Sequence, residues 1–474
     1  MSNQLTKADA ARKKVNLNSN SLFSALRHGG PCVWLSCIVM GFGNIVAGQF
    51  VKGLIFMALE AAILYLIFMP QGCLARITAL PALCDNFEER IWLEDYGIWY
   101  SYFRDPSWRV LLYGVIGIAI VGILIVIWQA SVRSGYLQIS KRRAGKHVNN
   151  IWEDIKSLFD ENIHKLLMMF PFLCIIVFTV VPLIYMVCMA FTNYSVAGST
   201  EMNDTINEFD WVGFDSFKLF FDSGSAIGKQ FWDVLAWTMV WAFFATFLNF
   251  FLGTFVAMII NRPSTRFKGT WRTIFSLTVA VPQFVSLLLI NTMFQDNGIV
   301  NLTLQDLGFI EEPILFLSDG RNNGLTPRMF VIIVNLWVGI PYTIMQVTGI
   351  LKNIPGDLYE AARIDGANAF QQFKSITLPY MIFVMTPYII TSFTGNINNF
   401  NVIFLLTGGG PKMPGAEVGK TDLLVTWLYR MSMENPQKYN LAAVIGIFTF
   451  IVLATISLVA YRSSGSYKDE EGFR

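Results

Sequence analysis

The sequence predicts an all-α membrane protein of about eight transmembrane helices. Of its 474 residues, 54% are hydrophobic and only 14% are charged, a balance that no soluble core of ordinary composition hides. The apolar residues are gathered into runs of about 20, the length that a ~30 Å hydrocarbon layer requires. Lipid offers no partners to backbone N–H and C=O groups, so every spanning run must be helical.

Taken in order, residues 1–30 are polar, with Lys7, Arg12, Lys13, Lys14 and Arg27, and read as a cytoplasmic tail without a cleavable signal peptide. The run 32–48 is broken by Gly41, Gly43 and Gly48 and followed almost at once by a second apolar run, so it reads as an interfacial or re-entrant element. The expected spans are 50–69, 110–129, 166–190, 234–260, 273–294, 329–351, 380–406 and 441–461. This parity places Lys141, Arg142, Arg143 and Lys146 inside, with Arg262, Arg266, Lys268 and Arg272, in keeping with the positive-inside tendency. The acidic loop 71–106 and the loop 191–232 fall outside, and both termini are cytoplasmic. The loop holding Lys412, Lys420, Arg430 and Lys438 is discordant, but late loops weigh less in setting orientation. Cys73 and Cys84 share an outer loop where a disulfide is one possibility, and the other cysteines read as small core residues. Glu60, near the middle of the first span, is either an ion site or, the simpler reading, a buried hydrogen bond or contact with the 32–48 element.

The most informative stretch is the polar insert 357–379, DLYEAARIDGANAFQQFKSITLP. Asp357 with Glu360, and Asn368 with Gln371, have the spacing of two helix-capping boxes, Gly366 stops the first helix, and Pro379 starts a new one. Two short helices at an angle result. Ala361 and Ala362 leave room for another protein to approach the backbone, while Glu360, Arg363 and Asp365 supply charge at the margin.

Glu360-Ala361-Ala362, Gly366 four residues later, and Ile376 with Leu378-Pro379 resemble the EAA loop of the membrane subunits of bacterial ABC importers. In that family the loop is a coupling helix seated in a cleft of a cytoplasmic ATPase, so the resemblance implies an ATPase-coupling role for Glu360, Ala361, Ala362, Asp365 and Gly366. It covers about 300 residues, 166–462, as a six-span permease core. The preceding segments then divide into 1–49, a tail with the interfacial or re-entrant element; 50–130, an N-terminal transmembrane hairpin; and 131–165, a basic cytoplasmic linker. Residues 463–474 form a cytoplasmic tail. The hairpin is similar to the extension of the larger membrane subunit of maltose-type importers.

Asn335, Gly339 and Tyr342 have the spacing of one helical face, as do Ser392, Asn396 and Asn399. Amides suit sugar hydroxyls and an aromatic ring suits the apolar side of a pyranose, though small residues and amides also serve helix packing. The segments Asn335–Tyr342 and Asn398–Pro411 are similar to those of the maltose-type subunit. The resemblance implies sugar contacts at Asn335, Val338, Gly339, Tyr342, Ser392, Asn396 and Asn399, and at Gln283 where relatives carry serine. One aromatic contact of the family is replaced by Val279, which bears on the sugar's identity.

Other chemistries are excluded by pattern. The segment 415–421, GAEVGKT, lacks the first glycine of a phosphate loop, having Pro414 there, and lies in an expected outer loop. His28, His147 and His164 have no ligand partners at metal spacing, so no metal is expected, and no nucleophile and base stand together. A net charge of +2 with scattered basic residues gives no nucleic-acid footprint. The expectation is therefore a non-catalytic, multi-pass subunit of the bacterial cytoplasmic membrane, without a cofactor of its own, that imports an oligosaccharide, maltose or maltodextrin. Its implied partners are the lipid bilayer, a second homologous permease, a cytoplasmic ATPase dimer and an external sugar-binding protein. The rival is an ion-coupled secondary transporter, for which Glu60 alone volunteers as a coupling site and which leaves 357–379 unexplained.

Overall fold

The computed structural model describes residues 21–463 apart from 71, 84–88, 94–96, 103–105, 196–208, 223, 263, 414 and 435. The described residues are almost all helical, with one antiparallel hairpin, and fall into two compact units. The first takes in the described residues to Tyr194 together with 209–212; the second takes in Ser195 and the residues from Gly213 onward. Among the described residues seven helices are long and apolar enough to cross a membrane, and an eighth span results if one bent pair counts as one. The expected number of spans is met.

The first unit opens with α1 (Leu22–His28), α2 (Pro31–Ile38) and α3 (Phe42–Ala47), followed by α4 (Phe50–Phe68). Neither α2, at 8 residues, nor α3, at 6, is long enough to span, as expected of 32–48. Gly41 at φ 81° and Gly48 at φ 100° make the left-handed breaks around α3. Broken backbone in an apolar setting is tolerated only where protein supplies the missing partners. Here Glu60 of α4 accepts from Met40 N–H at 2.7 Å, and Ser131 Oγ accepts from Gly41 N–H at 2.8 Å. Glu60 thus serves as the expected hydrogen-bond partner of the short element.

Ser131 lies on α6 (Ser107–Arg143), which follows α5 (Cys73–Ala79) and the hairpin β1 (Glu89–Leu93) and β2 (Ile98–Tyr102). At 37 residues α6 is roughly 55 Å long, so it overshoots a ~30 Å hydrocarbon layer and carries its basic end beyond it. A Cβ on Gly43 would lie 3.1 Å from the Gly135 Cα, so α3 seats directly on the backbone of α6. Next come α7 (Ile151–Phe159) and α8 (Ile163–Ile175), which passes through a π-helical turn, Ile176–Val180, into α9 (Val181–Met189). The turn precedes Pro182, which has no N–H to give the Phe178 carbonyl that an unbroken α-helix would aim at it. The possible Cys73–Cys84 disulfide cannot be placed, since Cys84 lies outside the described residues. His147, expected to stand apart, lies 2.7 Å from Glu153. That contact first, and Asn150 N–H second, hold the Glu153 carboxyl below its ordinary range.

The second unit contains α10 (Asp215–Phe221), α11 (Ala226–Asn261), α12 (Lys268–Ala280), α13 (Gln283–Met293), α14 (Ile299–Asp306) and α15 (Leu325–Asn353). After them come α16 (Gly356–Ile364), α17 (Ala369–Gln372), α18 (Leu378–Ile397), α19 (Phe400–Thr407), α20 (Leu424–Met433) and α21 (Tyr439–Ser463). Its core forms around α11 and α15, where Trp237, Trp241, Val331 and Val334 meet Leu287, Ile397, Ile403 and Leu406. A second cluster joins Phe250 and Ala257 to Ile344, Val347, Met381 and Met385.

Two expected spans are not straight. Residues 273–294 divide into α12 and α13, bent by 86°, because Pro282 cannot donate to the helix and drives Val281 to an extended ψ of 125°. Residues 380–406 divide into α18 and α19 at Asn398, and Asn399 caps the second piece by accepting from Val402 N–H at 3.2 Å.

The glycine-rich turn after α19 is fixed from below by a buried ion pair, Asp422 with Arg430. Asp422 also accepts from Gly419 N–H at 2.8 Å and Thr426 Oγ at 2.9 Å, while Arg430 Nη1 donates to Gly408 O at 3.3 Å. Gly409 is left-handed at φ 82°, and a Cβ there would strike the Asp422 carboxylate. Within 415–421, Lys420 Nζ donates to Asn323 Oδ1 at 2.6 Å and Thr421 Oγ1 to Gly410 O at 2.6 Å, so both side chains are structural.

Glu60→Leu strips Met40 N–H of its acceptor and is expected to cost about 1–3 kcal/mol. Glu60→Gln keeps an oxygen in place and costs less. The thermal unfolding midpoint of the detergent-solubilised protein checks both, and equal losses would remove the hydrogen bond from the account.

Candidate functional site

Two places in the second unit collect the residues singled out by sequence. One is the surface elbow between α15 and α18. Its helix α16 begins at Gly356, after Pro355, so Asp357 stands in the first turn and the expected capping box with Glu360 does not form. Pro355 fixes the entry at φ −57°, ψ 129° and is itself the cap residue, so the helix starts two residues earlier than a cap at Asp357 would set it. The carboxylate there still faces the positive end of the helix. The stop is as expected: Gly366 takes φ 78°, its N–H donates to Arg363 O at 3.1 Å, and Ala367 N–H donates to Ala362 O at 2.8 Å.

The second expected box does form. Asn368 Oδ1 accepts from Gln371 N–H at 2.9 Å, and Gln371 Oε1 from Asn368 N–H at 2.7 Å. The helix it opens is not short, however. α17 runs through a π-helical turn, Phe373–Thr377, into α18, giving one helix of 29 residues, Ala369–Ile397. Pro379 therefore does not start a helix; it sits just past the wide turn that absorbs its missing N–H. Tyr359 Oη meets Thr377 Oγ1 at 2.8 Å and ties the elbow to that turn.

Glu360, Ala361, Asp365 and Gly366 are exposed and Ala362 is half-buried. Around them stand Ile364, 87% exposed, Phe370, 71% exposed, and Leu358. These three apolar side chains escaped the sequence reading, although their clustering in a charged insert was a legible signal. So much apolar surface on a polar elbow marks a contact surface.

The other place is membrane-embedded by composition. Gln283, Val338 and Tyr342 come together at the bend between α12 and α13, lining a small cavity with Thr278, Ser286 and Trp337. Gly339 turns instead toward α11. A Cβ on Gly339 would lie 2.6 Å from the Asn249 amide, and Asn249 Nδ2 in turn donates to Ala245 O at 2.7 Å. Asn335 is buried, and its Nδ2 has no partner among the described residues.

Asn396 turns the same way: its Nδ2 donates to Thr246 Oγ1 at 3.0 Å and its Oδ1 accepts from Asn399 Nδ2 at 3.3 Å. Asn399 is therefore beside Asn396 but not on its helix, contrary to the single face expected of Ser392, Asn396 and Asn399. Ser392 is half-buried on α18. The structure thus adds a polar seam on α11, Thr246, Asn249 and Gly253, at i, i+3 and i+7. It was legible as spacing but masked by the phenylalanines around it. The arrangement offers amide, hydroxyl and ring surfaces to a neutral polar ligand. No cluster of three metal-ligating side chains occurs among the described residues.

Residues 249–465 match the family described as the inner membrane component of binding-protein-dependent transport systems. The chain is 33% identical to the galactooligosaccharides transport system permease protein GanP of Bacillus subtilis (strain 168), over 94% of this chain and 100% of GanP. It is 31% identical to the maltodextrin transport system permease protein MdxF of the same organism, over 92% of this chain and 96% of MdxF. A chain of the crystal structure of a bacterial alginate ABC transporter, in complex with alginate pentasaccharide-bound periplasmic protein, shares the fold. Its TM-score is 0.50 at 23% identity, covering 65% of this chain and 95% of that one.

Gly339→Ala is expected to destabilise the unit by about 1–3 kcal/mol through overpacking against Asn249. Most of the loss should return in an Asn249→Ala background, read as thermal unfolding midpoints in a double-mutant cycle. Equal losses in the two backgrounds would contradict the contact.

Proposed function

Because the chain belongs to the inner-membrane components of binding-protein-dependent transport systems, we propose that it is half of the translocation pathway of an ATP-driven oligosaccharide importer. Its other half is a homologous permease, its motor a pair of cytoplasmic ATPase subunits, and its donor an external sugar-binding protein. The chain itself catalyses nothing, and both its termini are cytoplasmic. The observation that carries this reading is the elbow at Glu360: an exposed helix with uncovered apolar neighbours, joined rigidly to a membrane-length helix.

Motion follows from that joint. The helix Ala369–Ile397 is about 44 Å long, and Tyr359 couples α16 to its first turns. Displacing the elbow tilts the rod and moves Ser392 and Asn396 against Thr246 of α11. Amides that meet each other in one state are released to meet hydroxyl groups in the other. A sugar that binds the two states with different affinity is then carried between them; one that binds both equally is not.

Neutral oligosaccharide is the substrate class. Gln283, Val338 and Tyr342 meet at one cavity, and the amides of Asn396 and Asn399 meet each other beside Thr246 of α11. Maltodextrin is the first sugar to test, and galactooligosaccharide, named for the relative GanP, is the second. Glu60 accepts from Met40 N–H, which supports the hydrogen-bonding role over the ion-coupled alternative.

Glu360→Lys is expected to weaken binding of the ATPase partner by about 2 kcal/mol, roughly thirtyfold in Kd, with loss of uptake in reconstituted vesicles. ATP-independent uptake by the purified chain alone would overturn the reading.

A further inference from the structure

The joint between α6 and α8 carries chemistry that translocation does not use. α7 is amphipathic: Ile151, Trp152, Ile155, Leu158 and Phe159 fall within one arc of the helix, and Glu153, Asp154, Lys156 and Ser157 fill the rest. Its polar face is already engaged. Asp154 accepts from Lys52 Nζ at 2.9 Å and Gln49 Nε2 at 3.0 Å, and Glu153 caps the helix start at Asn150 N–H while facing His147. These contacts fix the rotation of the helix and turn its apolar arc outward. Trp152 is 74% exposed and Phe159 62%, with Ile155 and Leu158 also uncovered.

Position says what meets that arc. α7 lies between two helices of membrane-spanning length and composition, Ser107–Arg143 and Leu166–Met189, so it sits at the level where the chain leaves and re-enters the hydrocarbon layer. Immediately before it come Lys141, Arg142, Arg143 and Lys146, the end of α6 that overshoots the layer. Arg142 donates to Val46 O, and Arg143 Nη2 to Gly29 O at 3.4 Å, which brings exposed Arg27 of α1 to the same end of the unit. Of the acids of α7, Asp154 is paired with Lys52 and Glu153 is held by the His147 contact; Asp160 and Glu161 lie past its C-terminal end.

We propose that α7 and the basic end of α6 form a binding surface for anionic phospholipid, in which Trp152, Ile155 and Phe159 enter the headgroup boundary while Lys141, Lys146 and Arg27 meet phosphate. An apolar arc beside clustered basic side chains is the chemistry that holds a helix flat on an anionic leaflet. The surface pins the exit of α6 and the entry of α8, and so sets the depth of the first unit in the bilayer.

The full chain with a photoreactive benzoylphenylalanine at Trp152, or separately at Phe159, is irradiated in vesicles of mixed phosphatidylglycerol and phosphatidylcholine. Lipid adducts, favouring phosphatidylglycerol over its mole fraction, are the expected result. Lys141→Gln and Lys146→Gln, whose side chains have no hydrogen bond or ion pair among the described residues, should each lower that preference about fivefold and leave adduct formation itself intact. Adducts to protein, no adduct, or an unchanged lipid preference in the charge variants would each overturn the proposal.

Discussion

A backbone amide that leaves water for hydrocarbon must find its partner inside the protein, and this constraint orders the whole structure. Where the chain is an unbroken helix the requirement is met internally. Where it is not, a side chain has been brought to the gap: Glu60 to Met40, Ser131 to Gly41, Asn399 to Val402. Some prolines follow a widened turn, Pro182 and Pro379, and Pro282 stands at a bend, while Pro171, Pro341 and Pro387 lie within α-helices.

The same constraint explains what the sequence revealed and what it hid. Runs of apolar residues announced the spans, since hydrocarbon thickness fixes their length, and Gly366 with the Asn368 and Gln371 pair announced the elbow's second half because capping is local chemistry. The bend at Pro282 and the break at Asn398 lay within apolar runs, where composition carries no signal of direction. Asp357 had the right spacing for a cap, but Pro355 started the helix earlier.

Helical spacing also assigned residues to faces without saying what each face meets. Gly339 shares a stripe with Tyr342, yet it turns to Asn249 on α11 while Tyr342 turns to Gln283 at the bend. The Asp422–Arg430 pair was equally hidden: it depends on a glycine-rich turn folding back over both side chains, which no local pattern encodes. Breaking such a pair leaves an uncompensated buried charge, so it fixes the geometry of the turn more than it adds net stability.

One continuous helix runs from the elbow to Asn396, which meets the polar seam at Thr246, and under the proposed function that link would make the chain a transmitter of work done elsewhere. Its central requirement is that the elbow stands on the side of the membrane where nucleotide is found. A single cysteine in place of Ile364, probed with a membrane-impermeant thiol reagent in intact cells and in inverted vesicles, tests this most directly. The account predicts labelling in inverted vesicles only, suppressed when the ATPase is bound; labelling in intact cells would contradict it.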